Sequence, residues 1–499
     1  MKRNRRQQPP ARAPKTGTRD VPQSALGRAH TSFIAALEQR PLIDYTVIRT
    51  VVLVLAALGV VMVMSSSMAS SFAASSSVWS TALRQSLMVL AGLVLFWVSL
   101  MIPPERIRKL ATPLFLFAVF LLVLVLLIGT GREEVGSQSW LMFGSLTMQP
   151  SEFARVAIAI WGAAVLSKKQ PPASAPAWQS PTAQFLLGAG VCILLIAKQG
   201  DAGMTMSFAA IVIFVLWFAG FPLKAIGILC GLIGAAAVML FLLGGFRSQR
   251  FHVYFEALFG NFSDTRGAAF QTHQGFLSLA DGSLFGVGLG QSRAKWFYLP
   301  EARNDFIFAV IGEELGMWGG IMVIALFAAL GYFGLRTAQR AQTSFQGLAA
   351  ASLTAGVVSQ AFINIGYVVG LVPVTGIQLP MLSAGGTSAV ITLWSMGMLA
   401  SIARHEPDAV SAMQNYGRPR FDRMLFVPEP KATAQLRATR AERTRTHEQS
   451  RREQRYGVPV AHRVAPDDRA QRHSPRPTRN VEVTQRRPRP NQSERRRYR

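Results

Sequence analysis

Four groups of polar residues interrupt the apolar sequence of this 499-residue chain. An ionisable group inside an apolar run is expensive to place, so each group is a candidate for function. The first runs from Trp140 to Arg155 and ends Gln149-Pro150-Ser151-Glu152-Phe153-Ala154-Arg155. Ser151 and Glu152 suit the first turn of a helix, where a hydroxyl caps free N–H groups and a carboxylate meets the positive end of the dipole. Arg155 sits one turn further in. Its spacing lets it pair with Glu152 on one helical face, so pairing and substrate contact are both open. The second group, Lys198-Gln199-Gly200-Asp201-Ala202-Gly203, splits two apolar runs. Such a break is costly in lipid unless it lines a cavity or is covered by protein. A Lys198–Asp201 pair that steadies the break and a direct site role are the two readings.

The third group contains Glu301, Arg303, Asn304 and Asp305, followed by Gly312-Glu313-Glu314-Leu315-Gly316. Asp305 falls where an apolar run begins. A helix's first turn welcomes an acid, but a lone carboxylate there also suits a general base. Glu313 and Glu314 lie about two turns deeper and must find a partner or water. Gly312, Gly316 and Gly320 recur every four residues, which predicts close packing on a neighbouring helix. The fourth group is Asn364 followed by Gly366, Gly370, Pro373, Gly376, Pro380, Gly385 and Gly386. That density of Gly and Pro marks kinked or re-entrant backbone around a cavity. Gly286-Val287-Gly288-Leu289-Gly290 shares glycine spacing with a dinucleotide fingerprint, but no βαβ pattern surrounds it.

The elements that position these groups are apolar runs near 47–66, 81–102, 110–129, 152–167, 183–199, 203–220, 223–245, 305–335, 346–371 and 383–403. About 20 mainly apolar residues cross a bilayer, so the expected fold is all-α and polytopic, with ten transmembrane helices. The 152–167 run is short. Half of the residues are hydrophobic while the net charge is +26, and a soluble globular fold accommodates no such combination. Residues 1–49 contribute +7 and residues 404–499 contribute +13. Three parts are expected: a disordered basic tail at 1–45, a membrane domain at 46–403 and a disordered basic tail at 404–499. Cys192 and Cys230 lie in apolar runs as small hydrophobes, which implies no disulfide, metal or redox role. The first apolar run follows some 45 polar residues and reads as an uncleaved anchor.

Arg106, Arg108, Lys109, Lys168, Lys169, Lys224, Arg336 and Arg340 fall in alternate short loops that share a side with both tails. By the positive-inside rule that side is cytoplasmic. The other side carries the Ser-rich loop 65–80, the loop 130–151 and a long loop, 246–304, between the seventh and eighth spans. A loop of that length is more often functional than not. Within it, Phe251–Phe259 and Phe270–Leu279 are apolar enough for interfacial helices. Arginine runs in the tails, such as Arg495–Arg497, suit anionic lipid or an acidic protein segment rather than nucleic acid.

The sequence Leu299-Pro300-Glu301-Ala302-Arg303-Asn304-Asp305 through Gly316 resembles the SEDS family (shape, elongation, division and sporulation). Gln149-Pro150-Ser151-Glu152, Asn364-Ile365-Gly366, Pro373 through Pro380 and Ser383-Ala384-Gly385-Gly386 carry the same resemblance, in the family's order. Gly290 through Trp296 and the long basic tails look most like the actinobacterial cell-division branch. Three places depart from the family pattern: Gln199-Gly200-Asp201-Ala202-Gly203-Met204 at the turn between the fifth and sixth runs, Arg303-Asn304 before Asp305, and Ala384 in the Ser383–Gly386 motif.

The resemblance implies a ten-helix glycosyltransferase that polymerises lipid II (undecaprenyl-diphosphate-linked disaccharide pentapeptide) beside a class B penicillin-binding protein at the septum. It matches the family's essential carboxylate to Asp305, and its loop tryptophan and helix residues to Trp140, Glu152 and Arg155. Lipid II polymerisation inverts an α-linked sugar diphosphate to a β-linkage. One displacement needs a base for the attacking hydroxyl and positive charge for the departing diphosphate, without a second carboxylic acid. Arg155, Lys198, Arg293, Arg303 or a divalent cation (Mg or Mn) would supply that charge. Asp201 is kept as a further substrate-binding candidate. Other divisome proteins are expected partners, among them FtsZ, through its acidic C-terminal tail. A lipid II flippase and a non-catalytic divisome scaffold are the competing readings.

Overall fold

The computed structural model describes residues 40–132, 136–144, 146–168, 172, 174, 176–242, 254, 268–293 and 302–430. Trp296–Glu301 and Phe251–Phe259, apart from Tyr254, lie outside the described residues, as do both ends of the chain. The helices are α1 (Ile43–Ser75), α2 (Ser80–Met101), α3 (Pro104–Ile128), α4 (Pro150–Leu166), α5 (Pro181–Lys198), α6 (Ala202–Phe218) and α7 (Leu223–Leu242). They continue as α8 (Ala268–Gly282), α9 (Ile307–Arg340), α10 (Ser344–Val368), α11 (Gly386–Arg404), α12 (Pro407–Tyr416) and α13 (Arg420–Met424).

Each of the ten apolar runs coincides with a helix. Among the described residues, seven helices are long and apolar enough to cross a membrane: α1, α2, α3, α5, α9, α10 and α11. The apolar parts of α6 and α7 are shorter. α4 has 17 residues and is buried along almost all of them. Packed against α3, α5, α6 and α10, α4 is the central helix of the bundle. A helix surrounded by protein is free of the length and polarity limits that lipid imposes, which explains why it tolerates Glu152 and Arg155. Many large apolar side chains of α2, α3 and α5 stay exposed, including Leu90, Phe120, Leu127 and Leu187. On a soluble surface such an array would be an association site; here it is the lipid face.

Four expectations are corrected. The Ser-rich stretch after residue 65 continues α1 to Ser75 instead of forming a loop. Its hydroxyls find partners inside the protein, as Ser65 does with Glu314 and Ser71 with Thr81. The loop 130–151 contains a small antiparallel hairpin, β1 (Leu141–Phe143) and β2 (Leu146–Met148), with Met142 opposite Thr147. α9 is not one regular helix: Gly316 breaks it with φ 68° and ψ −167°. The last correction concerns the C-terminal boundary. Residues 404–430 are not a solvated tail, since α12 and α13 fold there and Arg404, Glu406, Asp422 and Val427 are buried. Partners on distant helices, such as Tyr45 and Arg49 for Asp422, offset the cost of burying these polar groups, which local composition does not reveal. Within the long loop, α8 covers the expected Phe270–Leu279 helix.

Candidate active site

Asp305 lies in the turn that leads into α9, between the exposed end of the bundle and a buried anchor, Phe306. The Phe306 ring meets Tyr367 edge-on at 5.8 Å. Three successive carbonyls of the turn accept hydrogen bonds from elements distant in sequence. Ala384 N–H donates to Arg303 O at 2.9 Å, Ser383 Oγ to Asn304 O at 2.6 Å, and Asn364 Nδ2 to Asp305 O at 2.9 Å. Tyr367 Oη lies 2.8 Å from the same Asp305 carbonyl. Asn364 and Tyr367 also reach Ile377 O, at 2.7 and 2.8 Å, and their own polar atoms are 2.6 Å apart. Their three donor hydrogens match three acceptors: two carbonyls and the phenol oxygen. The turn is therefore clamped through its main chain, and the half-buried Asp305 carboxylate is positioned by it.

Asn364 and Tyr367 stand on one face of α10 because they are three residues apart. That spacing was the available signal for Tyr367, which sequence reasoning missed; Asn364 stood out only by its motif. The loop 371–385 carries the clamp across the end of the bundle. Gln360 Nε2 donates to Gln378 O at 3.0 Å, and Ser383 Oγ accepts from Leu379 N–H at 2.8 Å.

The same loop reaches the second polar group. Gly203, in the first turn of α6, lies so close to Thr375 O that a Cβ would collide with it. Asp201 caps α6 by accepting from Met204 N–H at 2.9 Å, and its other oxygen accepts from Gln149 Nε2 at 3.0 Å. Gln149 is itself the N-cap residue of α4. The break at 198–203 is thus held by a helix cap and a side-chain bridge. Lys198 is exposed at the end of α5. The hairpin joins through Thr387 Oγ1, which donates to Thr147 O at 3.0 Å. Trp140 is half-buried beside it and pairs with Thr130 through the main chain.

Glu152 and Arg155 do come together, 3.3 Å apart and both buried. Arg155 Nη2 also donates to Gly356 O at 3.1 Å. They line a cavity of about 20 Å³ with Ser352, Gln360, Thr392 and Ser395, room for about one water molecule. Arg155 Nε and Ser352 Oγ have no protein partner, so the cavity is polar as well as roomy enough.

Glu313 finds its side-chain partners in the segment before α9, and Glu314 finds its own on α1. Glu313 accepts from Ser292 Oγ at 2.7 Å and from the Arg293 main-chain N–H at 2.5 Å. Glu314 accepts from Ser65 Oγ at 2.6 Å, and Gly290 N–H donates to that same hydroxyl at 3.1 Å. Val287 and Gly288 N–H groups donate to the carbonyls of Glu313 and Glu314, which the break at Gly316 leaves open. The Gly286–Gly290 run is therefore a plug for a broken helix. Arg293 contributes its backbone there and leaves its guanidinium exposed, while Arg303 is half-buried in the clamped turn.

A family model described as a cell cycle protein (FtsW, RodA and SpoVE) matches residues 45–408. A probable peptidoglycan glycosyltransferase FtsW from Mycobacterium tuberculosis is 39% identical over 422 residues, which is 84% of this chain and 79% of that one. Stage V sporulation protein E of Bacillus subtilis is 38% identical over 296 residues, covering 58% of this chain and 78% of its own. Among solved structures, a chain of a peptidoglycan synthase complex superposes with a TM-score of 0.56. The rod shape determining protein RodA of Thermus thermophilus does so with 0.53. Both are 24% identical and cover 72% of this chain and 97% and 96% of their own, a likeness of fold. The matched residues run from the first turn of α1 to the start of α12 and take in every element of the site, so the chain belongs to the FtsW/RodA/SpoVE family of cell cycle proteins.

Proposed function

We propose that this chain is a peptidoglycan glycosyltransferase that polymerises lipid II during septal wall synthesis, with Asp305 as general base. The clamped Asp305 turn carries the reading: a half-buried carboxylate whose main chain is held by Arg303, Asn304 and Asp305 carbonyl contacts. Such fixation holds a base in place before the substrate arrives. In the reaction, Asp305 takes the proton of the attacking sugar hydroxyl. The new C–O bond forms on the face opposite the diphosphate, which departs with the bonding electrons. The relatives' naming as peptidoglycan glycosyltransferases supports the same reaction.

Arg155 is committed to Glu152 inside the bundle, which leaves Arg303, Arg293 and Lys198 as the proposed cations for the diphosphate. Among the described residues no group of three or more His, Cys, Asp or Glu side chains gathers to hold a metal ion. A Mg or Mn ion, if used, would supply positive charge to the diphosphate, and Mg commonly takes phosphate oxygens among its ligands. Trp140, Asp201 and Lys198 remain candidates for substrate contact. A flippase would need a polar route through the bundle, and the naming of the relatives as glycosyltransferases favours the polymerase instead.

The proposal includes ten spans, both termini in the cytoplasm, enrichment at the septum and a class B penicillin-binding partner. The similar chain that belongs to a peptidoglycan synthase complex, described as coordinating polymerization and crosslinking, supports the partner. Purified protein given labelled lipid II, with and without that partner, tests the activity. Asp305→Asn should lower polymerisation by about 10²–10⁴-fold while expression and partner binding persist. Glycan synthesis retained by that variant would overturn the assignment. An impermeant thiol reagent outside intact cells should reach a cysteine placed at Ser263 and miss one at Thr433.

A further inference from the structure

Where the chain leaves its last spanning helix, large apolar side chains are left in the open beside arginines. Residues 404–430 hold 4 Lys/Arg and 4 Asp/Glu; Arg404, Glu406 and Asp422 are buried, while Asp408 and Glu429 are exposed at the two ends of the segment. Asp422 is fully buried and accepts from Tyr45 Oη at 2.6 Å and Arg404 Nε at 2.7 Å. Glu406 is buried 3.5 Å from Arg340, which also pairs with Asp408 at 2.6 Å. Arg420 and Arg423, by contrast, are exposed, and Arg418 is half-buried. Tyr416 is 89% exposed, Met424 68% and Phe426 83%. Phe426 holds a left-handed backbone with φ 55°, rare for a bulky residue and a mark of constraint. Its neighbour Val427 is fully buried, so the chain is pinned on one side of an outward-facing aromatic ring.

Trp97 fixes the level of this segment. It lies one turn from the end of α2, a spanning helix, and its Nε1 donates to Leu425 O at 2.9 Å. An indole at the end of a span sits at headgroup depth. We propose that residues 416–426 form an interfacial anchor. Tyr416, Met424 and Phe426 enter the inner leaflet, and Arg418, Arg420 and Arg423 meet anionic headgroups. This rests on the cytoplasmic placement of the C-terminus proposed above. Charge argues against the rest of the chain as the occupant. Residues 431–499 hold 20 Lys/Arg against 7 Asp/Glu, and residues 1–39 hold 8 against 2, so both repel the patch. Apolar insertion with flanking cations is the composition of interfacial segments.

The test places a nitroxide on single cysteines at Met424, Phe426 and Glu429 of the full chain, with Cys230→Ser removing the exposed native thiol. The protein is reconstituted in vesicles of phosphatidylcholine mixed with phosphatidylglycerol. Oxygen should relax the labels at 424 and 426 more than a water-soluble nickel chelate does, and the order should reverse at 429. Replacing Arg418, Arg420 and Arg423 with glutamine, or omitting phosphatidylglycerol, should raise nickel access at 426 several-fold. High nickel access at 424 and 426 in anionic vesicles would overturn the proposal. So would shielding from both reagents with spin–spin broadening that grows with protein density, which would assign the patch to a second copy. Reaction of the Glu429→Cys thiol with an impermeant reagent outside intact cells would instead overturn the cytoplasmic placement, leaving insertion itself measurable.

Discussion

The side-chain amide of Asn364 donates to the main-chain carbonyl of Asp305 at 2.9 Å, across 59 positions of sequence. The turn that carries Asp305, the proposed base, is thus held through its main chain by a residue of another helix. Asn364→Ala removes a donor from the half-buried carbonyl of Asp305 and the buried one of Ile377, and the single hydroxyl hydrogen of Tyr367 serves only one of them. An unsatisfied buried acceptor costs about 1–3 kcal/mol. Thermal melts of the purified variant should show that loss, and kcat should fall more than KM changes because the carboxylate is misplaced. Tyr367→Phe should be milder, since Asn364 keeps two donors. Wild-type turnover in Asn364→Ala would show that the clamp is dispensable.

Gly316 and Gly320 look alike in sequence and should respond differently to alanine. Gly316 has φ 68°, and a Cβ there would strike the backbone of Gly286. Gly320 is helical, and its nearest contact would be Phe308 Cζ at an ordinary 3.5 Å. The backbone strain alone at Gly316 is worth about 1–3 kcal/mol. Gly316→Ala should lower the melting temperature sharply and expose the 283–293 segment to protease. Gly320→Ala should do neither. Equal behaviour of the two variants would remove the plug from the account of α9.

Glu406, between α11 and α12, supplies a pH dependence. Burial, and next the nearby Asp44 carboxylate, push its pKa from 4.5 up to about 8, with Arg340 and Arg336 offsetting only part. Between about pH 4.5 and 8 the native state holds a proton that the unfolded chain has released. Stability from this group is therefore greatest at low pH and declines as pH rises through that window. Glu406→Gln is neutral throughout. Its thermal-inactivation midpoint should match the wild type near about pH 5 and exceed it by about pH 9. A difference that does not change with pH would mean that Glu406 stays ionised.

The net charge of +13 that composition assigns to 404–499 lies entirely beyond residue 430. Binding of this segment to anionic vesicles or to an acidic peptide, such as the C-terminal tail of FtsZ, should weaken steeply with salt. The Debye length falls from about 10 Å at 0.1 M to about 3 Å at 1 M. Co-sedimentation at rising salt measures this, and salt-independent binding would point to a folded recognition motif.

Much of this protein is legible in one dimension, because a bilayer imposes a one-dimensional rule: apolar length decides what crosses, and loop arginines decide the side. Among the described residues, that rule located each α-helix from α1 to α11 apart from α8, which its own apolar pattern located. It also marked the break before α6 and Asp305 at the start of α9. Spacing alone likewise foresaw the Glu152–Arg155 pair, since three residues is one helical turn. The failures share a cause. The Ser-rich end of α1 and the charged 404–430 segment read as solvated because their partners lie far away in sequence. Tyr45 is 377 positions from Asp422, and Ser65 is 249 positions from Glu314. The evenly spaced glycines predicted a helix seam, and Gly312 does pack closely on Leu279 of α8, yet Gly316 opens α9 for a loop to close. Long-range pairing sets the price of a buried charge or a broken helix, and only the tertiary structure decides who pairs with whom.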